Sequence, residues 1–265
     1  MNKIAIILVI LLVSILSVKS IMVEDIFAAV STQHHPLKKL ENADSLITRK
    51  LELSTKEVPK PQPQKKTEPV LPNSILLDVP ILNQLDQPQL YNGCEVTSLA
   101  MLLNFHGIQV TKNTLAANIA TVPLDYSNNL HGNPNVGFVG DMVGGPGLGV
   151  YNGPVFDLAK KYVGDKAVNL TNHPFTDILK KVGQGLPVWI ITTANFVPVS
   201  DFQQWNTPQG TIQVTYSEHS VVITGYDQNY IYVNDPYGVK NRKVDRTDFI
   251  KAWDQMGQQA IVIEK

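Results

Sequence analysis

Asn92-Gly93-Cys94-Glu95-Val96-Thr97-Ser98-Leu99-Ala100-Met101-Leu102-Leu103-Asn104-Phe105-His106-Gly107 is the stretch from which the rest of the chain can be read. Val96, Leu99, Ala100, Leu102 and Leu103 recur at the spacing of one helix face. Gly93 ahead of the run and His106-Gly107 behind it are start and stop signals, so a helix is predicted over Cys94–Phe105. Its first residue is the only cysteine of the chain. No intramolecular disulfide can form, and on count alone such a residue reads as a small buried hydrophobe. Its position argues otherwise. Unpaired amides and aligned peptide dipoles at a helix start favour a thiolate and would lower the pKa of Cys94. Asn92-Gly93 permits close backbone approach, which would leave the Cys94 amide able to donate to a developing oxyanion.

Working outward, Ile75-Leu-Leu-Asp-Val-Pro-Ile-Leu82 reads as a short strand ending in a turn. Downstream, Val110 to Ile119 is amphipathic, with Thr111 as the expected N-cap. The glycine- and asparagine-rich stretch from Val122 to Gly153 is expected to be a loop walling a substrate cleft. No Gly-Lys-Ser/Thr follows it, which excludes a nucleotide cradle. Helices are predicted over Val155–Val163 and Phe175–Gly183, the second capped by Asn172 or Thr176. The period then changes to β-branched and aromatic runs at Pro187–Thr193, Thr211–Tyr216, Ser220–Tyr226, Tyr230–Asn234 and Ala260–Glu264. Helices first and strands second predict an α+β fold, a helical part packed on a C-terminal antiparallel sheet.

A cysteine nucleophile needs a base and a group to orient that base. Of six histidines, His34 and His35 lie in a polar segment, His106 ends the Cys94 helix, and His131 and His173 lie in loops. His219 alone opens a strand. The following strand ends at Asn234-Asp235-Pro236, and a turn at Asp227-Gln-Asn229 would bring His219 and Asp235 to one end of the sheet. Glu95 reads as an acidic residue of the first helical turn, with no chemistry assigned. Trp189, Trp205 and Trp253 read as core residues, although Trp205 sits in a polar run, Gln203 to Pro208, able to line a groove.

Asp78-Val-Pro-Ile-Leu-Asn-Gln84, Pro88-Gln-Leu-Tyr-Asn-Gly-Cys-Glu-Val-Thr-Ser-Leu-Ala-Met101, His219-Ser-Val-Val-Ile-Thr-Gly-Tyr226 and Tyr232-Val-Asn-Asp-Pro236 together resemble the peptidase-like family related to the bacteriocin-processing cysteine peptidases. The resemblance runs from Ile75 to Lys265. It implies a papain-like fold with Cys94 as nucleophile, His219 as base and Asp235 as orienting residue. Papain-like sites also place a glutamine ahead of the cysteine to complete the oxyanion hole. Gln84 matches that position best, with Gln87 as the alternative and Gln89 at a variable position. The substrate implied is a peptide or protein.

Met1-Asn-Lys3 followed by the apolar run Ile4 to Val18 is an export element, and both a cleaved signal peptide and a retained membrane anchor fit residues 1–30. Residues 31–73 are rich in Pro, Lys, Gln and Thr and are expected to be an extended linker. The folded domain is expected over 74–265, outside the cytoplasm and either secreted or held at the outer face of the membrane. Twenty-two basic against twenty-three acidic residues, a formal net charge of −1, offer no phosphate-neutralising surface, so a nucleic-acid partner is not expected. With one Cys and no Cys-x-x-Cys or His-Glu-x-x-His, no metal or cofactor is expected either.

Overall fold

The computed structural model describes residues 71–265. The expected export segment, 1–30, and all but the end of the 31–73 linker lie outside the described residues. A short strand β1 (Ile75–Leu76) leads through an irregular segment into α1 (Cys94–Phe105), the predicted span. Every residue from Cys94 to Leu103 is buried, as expected of a helix whose faces are all covered. α2 (Lys112–Ala116) is shorter than its amphipathic pattern, but Thr111 caps it, its Oγ1 accepting from the Thr114 amide at 3.0 Å.

The glycine-rich stretch is more ordered than a loop. β2 (Thr121–Val122) pairs parallel with β3 (Phe138–Gly140), and β3 pairs antiparallel with β4 (Gly147–Gly149). Then come α3 (Asn152–Val163), β5 (Ala167–Asn169) and α4 (Phe175–Gly183). Neither Asn172 nor Thr176 caps α4. Asn172 is spent on a left-handed turn (φ 67°), and Pro174, its φ of −62° preset by the ring, stands at the N-cap without a side-chain bond.

The remaining strands are β6 (Val188–Thr193), β7 (Gln203–Thr207), β8 (Gly210–Val214), β9 (Glu218–Tyr226), β10 (Tyr230–Asp235) and β11 (Val239–Asp245); α5 (Arg246–Gln255) and β12 (Ala260–Ile263) close the chain. The main sheet runs β11-β10-β9-β6-β12-β5, antiparallel throughout, with β1 on β9. β9 is central and every one of its residues is buried. One core, including Leu99, Leu103, Val155, Trp189 and Ile261, joins α1 and α3 to the sheet. Another, including Ile178, Val221, Ile223, Phe249 and Trp253, joins α4 and α5 to it. The fold is therefore α+β, with the antiparallel sheet supplied by the C-terminal half and α1 lying against β9.

α5 carries Phe249, Ala252 and Trp253 inward at helical spacing among polar residues, and Asp245 caps it by accepting from the Thr247 and Asp248 amides. Trp205 belongs to the β7–β8 hairpin, buried and stacked on His131 at 4.4 Å, and so does not line an open groove.

Candidate active site

Cys94 is placed by what lies just before it. A Cβ on Gly93 would come within 2.5 Å of the Leu90 Cβ, so the chain can enter α1 at this angle only with glycine there. Asn92 is held by three bonds: its amide donates to Met142 O at 3.0 Å, and its Nδ2 donates to Asp141 O at 2.8 Å and Gly145 O at 3.0 Å. The Tyr91 amide adds a bond to Val143 O at 3.1 Å. The glycine-rich segment thus grips the approach to the helix. As the first amide of α1, that of Cys94 has no acceptor within the helix.

His219 and Asp235 meet as the hairpin predicts. β9 and β10 pair antiparallel, and Asp227 closes the turn by accepting from the Asn229 and Tyr230 amides. His219 Nε2 lies 3.0 Å from Asp235 Oδ1, with both side chains almost fully buried. That bond leaves Nδ1 as the imidazole nitrogen available to a thiol. Asp235 accepts further bonds from the Tyr237 amide at 3.0 Å and from Arg242 at 2.9 Å. Burial pushes its carboxyl up, but His219, the Tyr237 amide and Arg242 outweigh burial and hold it below the ordinary range. Tyr237 stacks on the imidazole at 5.1 Å, Phe196 meets it edge-on at 6.3 Å, and the Arg242 guanidinium covers Phe196 at 4.7 Å.

The thiol makes its hydrogen bond elsewhere. Cys94 Sγ donates to Glu95 Oε2 at 3.4 Å, and among the described residues no hydrogen bond joins it to His219. Strand alternation is part of the cause. Glu218 gathers with Cys94 and Glu95, and the Ser220 carbonyl accepts from Ser98 of α1, whereas His219 turns toward Phe196, Tyr237 and Asp235. Burial, then the charges of Glu95 and Glu218, push the Cys94 thiol well above its ordinary range, and the Ser220 amide offsets only part of this. The depressed pKa expected from the helix start is thereby reversed, because two carboxyls and desolvation outweigh a dipole. Burial raises Glu95 to about 7 and also raises Glu218, which feels Glu95 as well. Tyr237 is the residue common to both groups: it stacks on His219, and after burial the neighbouring Cys94 helps push its phenol up.

Gln84 is buried and its Nε2 donates to Tyr91 O at 2.8 Å, while its own amide donates to Pro236 O, next to Asp235. Nε2 carries a second hydrogen that this bond does not use. Gln87 and Gln89 are exposed; Gln87 lines a cavity of about 680 Å³, together with Pro88, Val110, Lys112 and Tyr162, that contains none of the other candidate residues.

Sequence reasoning passes over Glu218, Tyr237, Phe196 and Arg242. The polar triplet Glu218-His219-Ser220 at the head of an otherwise apolar strand is a signal for the first. The other three come from separate loops and an edge strand, and their roles exist only through packing.

The Peptidase_C39 like family model matches residues 76–261. The uncharacterized protein YvpB of Bacillus subtilis (strain 168) is 63% identical over 189 residues, covering 71% of this chain and 76% of its own. The crystal structure of a candidate C39-like peptidase from Bacillus anthracis superposes with a TM-score of 0.70 at 45% identity, covering 73% of this chain and 98% of that one.

Proposed function

The chain belongs to the C39-like peptidase family, and from that premise we propose that it is an exported cysteine peptidase, hydrolysing or transferring a peptide or amide bond through an acyl-enzyme on Cys94. The observation that carries this reading is the buried His219–Asp235 bond, 3.0 Å long, on the strand against which the Cys94 helix packs. Asp235 fixes the ring through Nε2 and leaves Nδ1 available. Rotation of the thiol about Cα–Cβ away from Glu95 would let it pass its proton to Nδ1 and attack a substrate carbonyl as thiolate. The Cys94 amide and the second hydrogen of Gln84 Nε2 would donate to the oxyanion. His219 would then protonate the leaving amine, and water or an acceptor amine would release the acyl group. Peptide or protein substrates outside the cytoplasm fit the export element of residues 1–30, through which an uncleaved chain would also hold the membrane.

A second reading is favoured by one observation: Sγ bonds Glu95, is buried and is pushed up in pKa. It makes the chain a non-catalytic envelope binding module on a peptidase scaffold. Incubating the purified protein with a peptide library and reading products by mass spectrometry separates the two. The peptidase reading expects products or an acyl adduct that vanish in both Cys94→Ala and His219→Ala. Products that survive Cys94→Ala, or none from the wild type, leave the binding module.

A further inference from the structure

Cys94 shares a buried cluster with Glu95 and Glu218, two carboxyls for which the proposed peptide chemistry has no use. Sγ and one carboxylate oxygen from each glutamate all lie within 4.8 Å of one another. The distance from Sγ to Glu95 Oε2, 3.4 Å, is close to what two ligands take around a tetrahedral ion with sulfur at about 2.3 Å and oxygen at about 2.0–2.2 Å. The other oxygen of Glu95 accepts from the Val150 amide at 2.6 Å, which orients the carboxylate as an outer hydrogen bond orients a ligand. Glu218 is 9% exposed, and among the described residues its buried Oε1 has no hydrogen-bond partner. Among the described residues no Lys, Arg or His forms an ion pair with either glutamate that lies in this cluster. Gly149 keeps the cradle open: at φ 141°, a Cβ there would stand 2.6 Å from Glu95 Oε1 and 2.7 Å from Glu218 Oε2.

Three acidic groups that share a buried site without a cation need either protons or a metal ion. A buried carboxylate beside a thiol, with one of its oxygens unpartnered among the described residues, fits the ion. We propose that Cys94, Glu95 and Glu218 bind a divalent cation of the zinc type, and that the bound ion withdraws the nucleophile and reversibly inhibits the enzyme. A thiolate ligand selects zinc over magnesium or calcium. Protons of the thiol and carboxyls leave to solvent as the ion enters, and no electron is transferred. The inhibition rests on the peptidase reading; the binding does not. No sequence motif announces this site, because two ligands are adjacent and the third comes from a distant strand.

The test titrates metal-free, full-length protein with Co²⁺ and follows the thiolate-to-cobalt charge-transfer band, with Zn²⁺ as competitor. The expected result is one ion per chain, displaced by Zn²⁺, with the band lost in Cys94→Ser and unchanged in His219→Ala. Glu218→Gln should weaken binding by at least about tenfold, the loss that outer-shell changes already produce. In the unaltered protein, Zn²⁺ should protect Cys94 from iodoacetamide and EDTA should restore labelling. No band, no protection, or unchanged affinity in a folded Glu218→Gln overturns the site. A band that needs His219 also overturns it, by moving the ion to the His219–Asp235 pair. Zinc binding without peptide cleavage would sustain the metal site and defeat the peptidase reading, whereas cleavage unaffected by saturating zinc would defeat the inhibition alone.

Discussion

Three carboxylates lie at the head of β9 in two sets that differ in what neutralises them. Asp235 has His219, Arg242 and the Tyr237 amide around it, each a donor. Glu95 and Glu218 have a thiol, the backbone amides of Glu95 and Val150 and each other. Both groups are buried, so burial alone does not set their ionisation. Donors hold Asp235 charged, and their scarcity favours protons on the glutamate pair. Alternation along β9 is what separates them, sending His219 one way and Glu218 the other.

The largest expected effect comes from removing the charge on the compensated side. Asp235→Asn keeps the shape but lets the imidazole take the wrong tautomer, and should lower kcat about 10³-fold or more with little change in KM, read from steady-state kinetics on a cleaved peptide. A fall of less than tenfold would show that Asp235 does not orient the base.

Next comes the backbone that holds the uncompensated pair apart. Gly149→Ala drives a methyl into both carboxylates at a φ suited to glycine, and should cost about 1–3 kcal/mol in urea unfolding at pH 7. Unchanged stability would mean that the cradle is not rigid.

The two sides should also answer pH in opposite senses. Glu95, raised from 4.5 to about 7, and Glu218, raised as well, hold their protons longer in the folded than in the unfolded state. Their contribution is greatest below pH 4.5 and falls as pH rises toward 7 and beyond. Chelator-treated Glu218→Gln should therefore gain on the wild type as pH rises, measured as the difference in Tm between pH 5 and pH 8. An equal Tm difference in both proteins would count against the buried pair. Asp235 behaves conversely: its folded pKa lies below 3.8, so its contribution is present above that pH and is lost as pH falls through the folded value.

The smallest effect belongs to Arg242, whose side chain is 42% exposed. Arg242→Gln should cost about 1 kcal/mol or less after screening by solvent, and should move the acid unfolding transition to higher pH. An acid transition left in place would show that His219 and the Tyr237 amide suffice to hold Asp235 charged.

Much of this arrangement is legible in the chain. The spans of α1 and α4 follow from apolar periodicity with clear start and stop signals, and the meeting of His219 with Asp235 follows from two β runs joined by a turn. α5 is harder to read because Phe249, Ala252 and Trp253 stand among polar residues, although their spacing and the Asp245 cap are present. Gln84 differs from Gln87 only in burial, and burial comes from the neighbours the loop meets. Asn172 offers a capping side chain, but the turn it occupies is set by the segment as a whole.

By itself the sequence determined the α+β order, the helix that starts at Cys94 and the strand that starts near His219, because local periodicity and turn chemistry act over a few residues. Which partner the Cys94 sulfur meets was decided only in three dimensions. Glu95 follows it in sequence, yet it becomes a partner because Val150 orients its carboxylate, Trp189 donates to its carbonyl and β9 delivers Glu218 beside it. A helix dipole can be read from residue order, but desolvation and the placing of uncompensated charge depend on every element packed around the site.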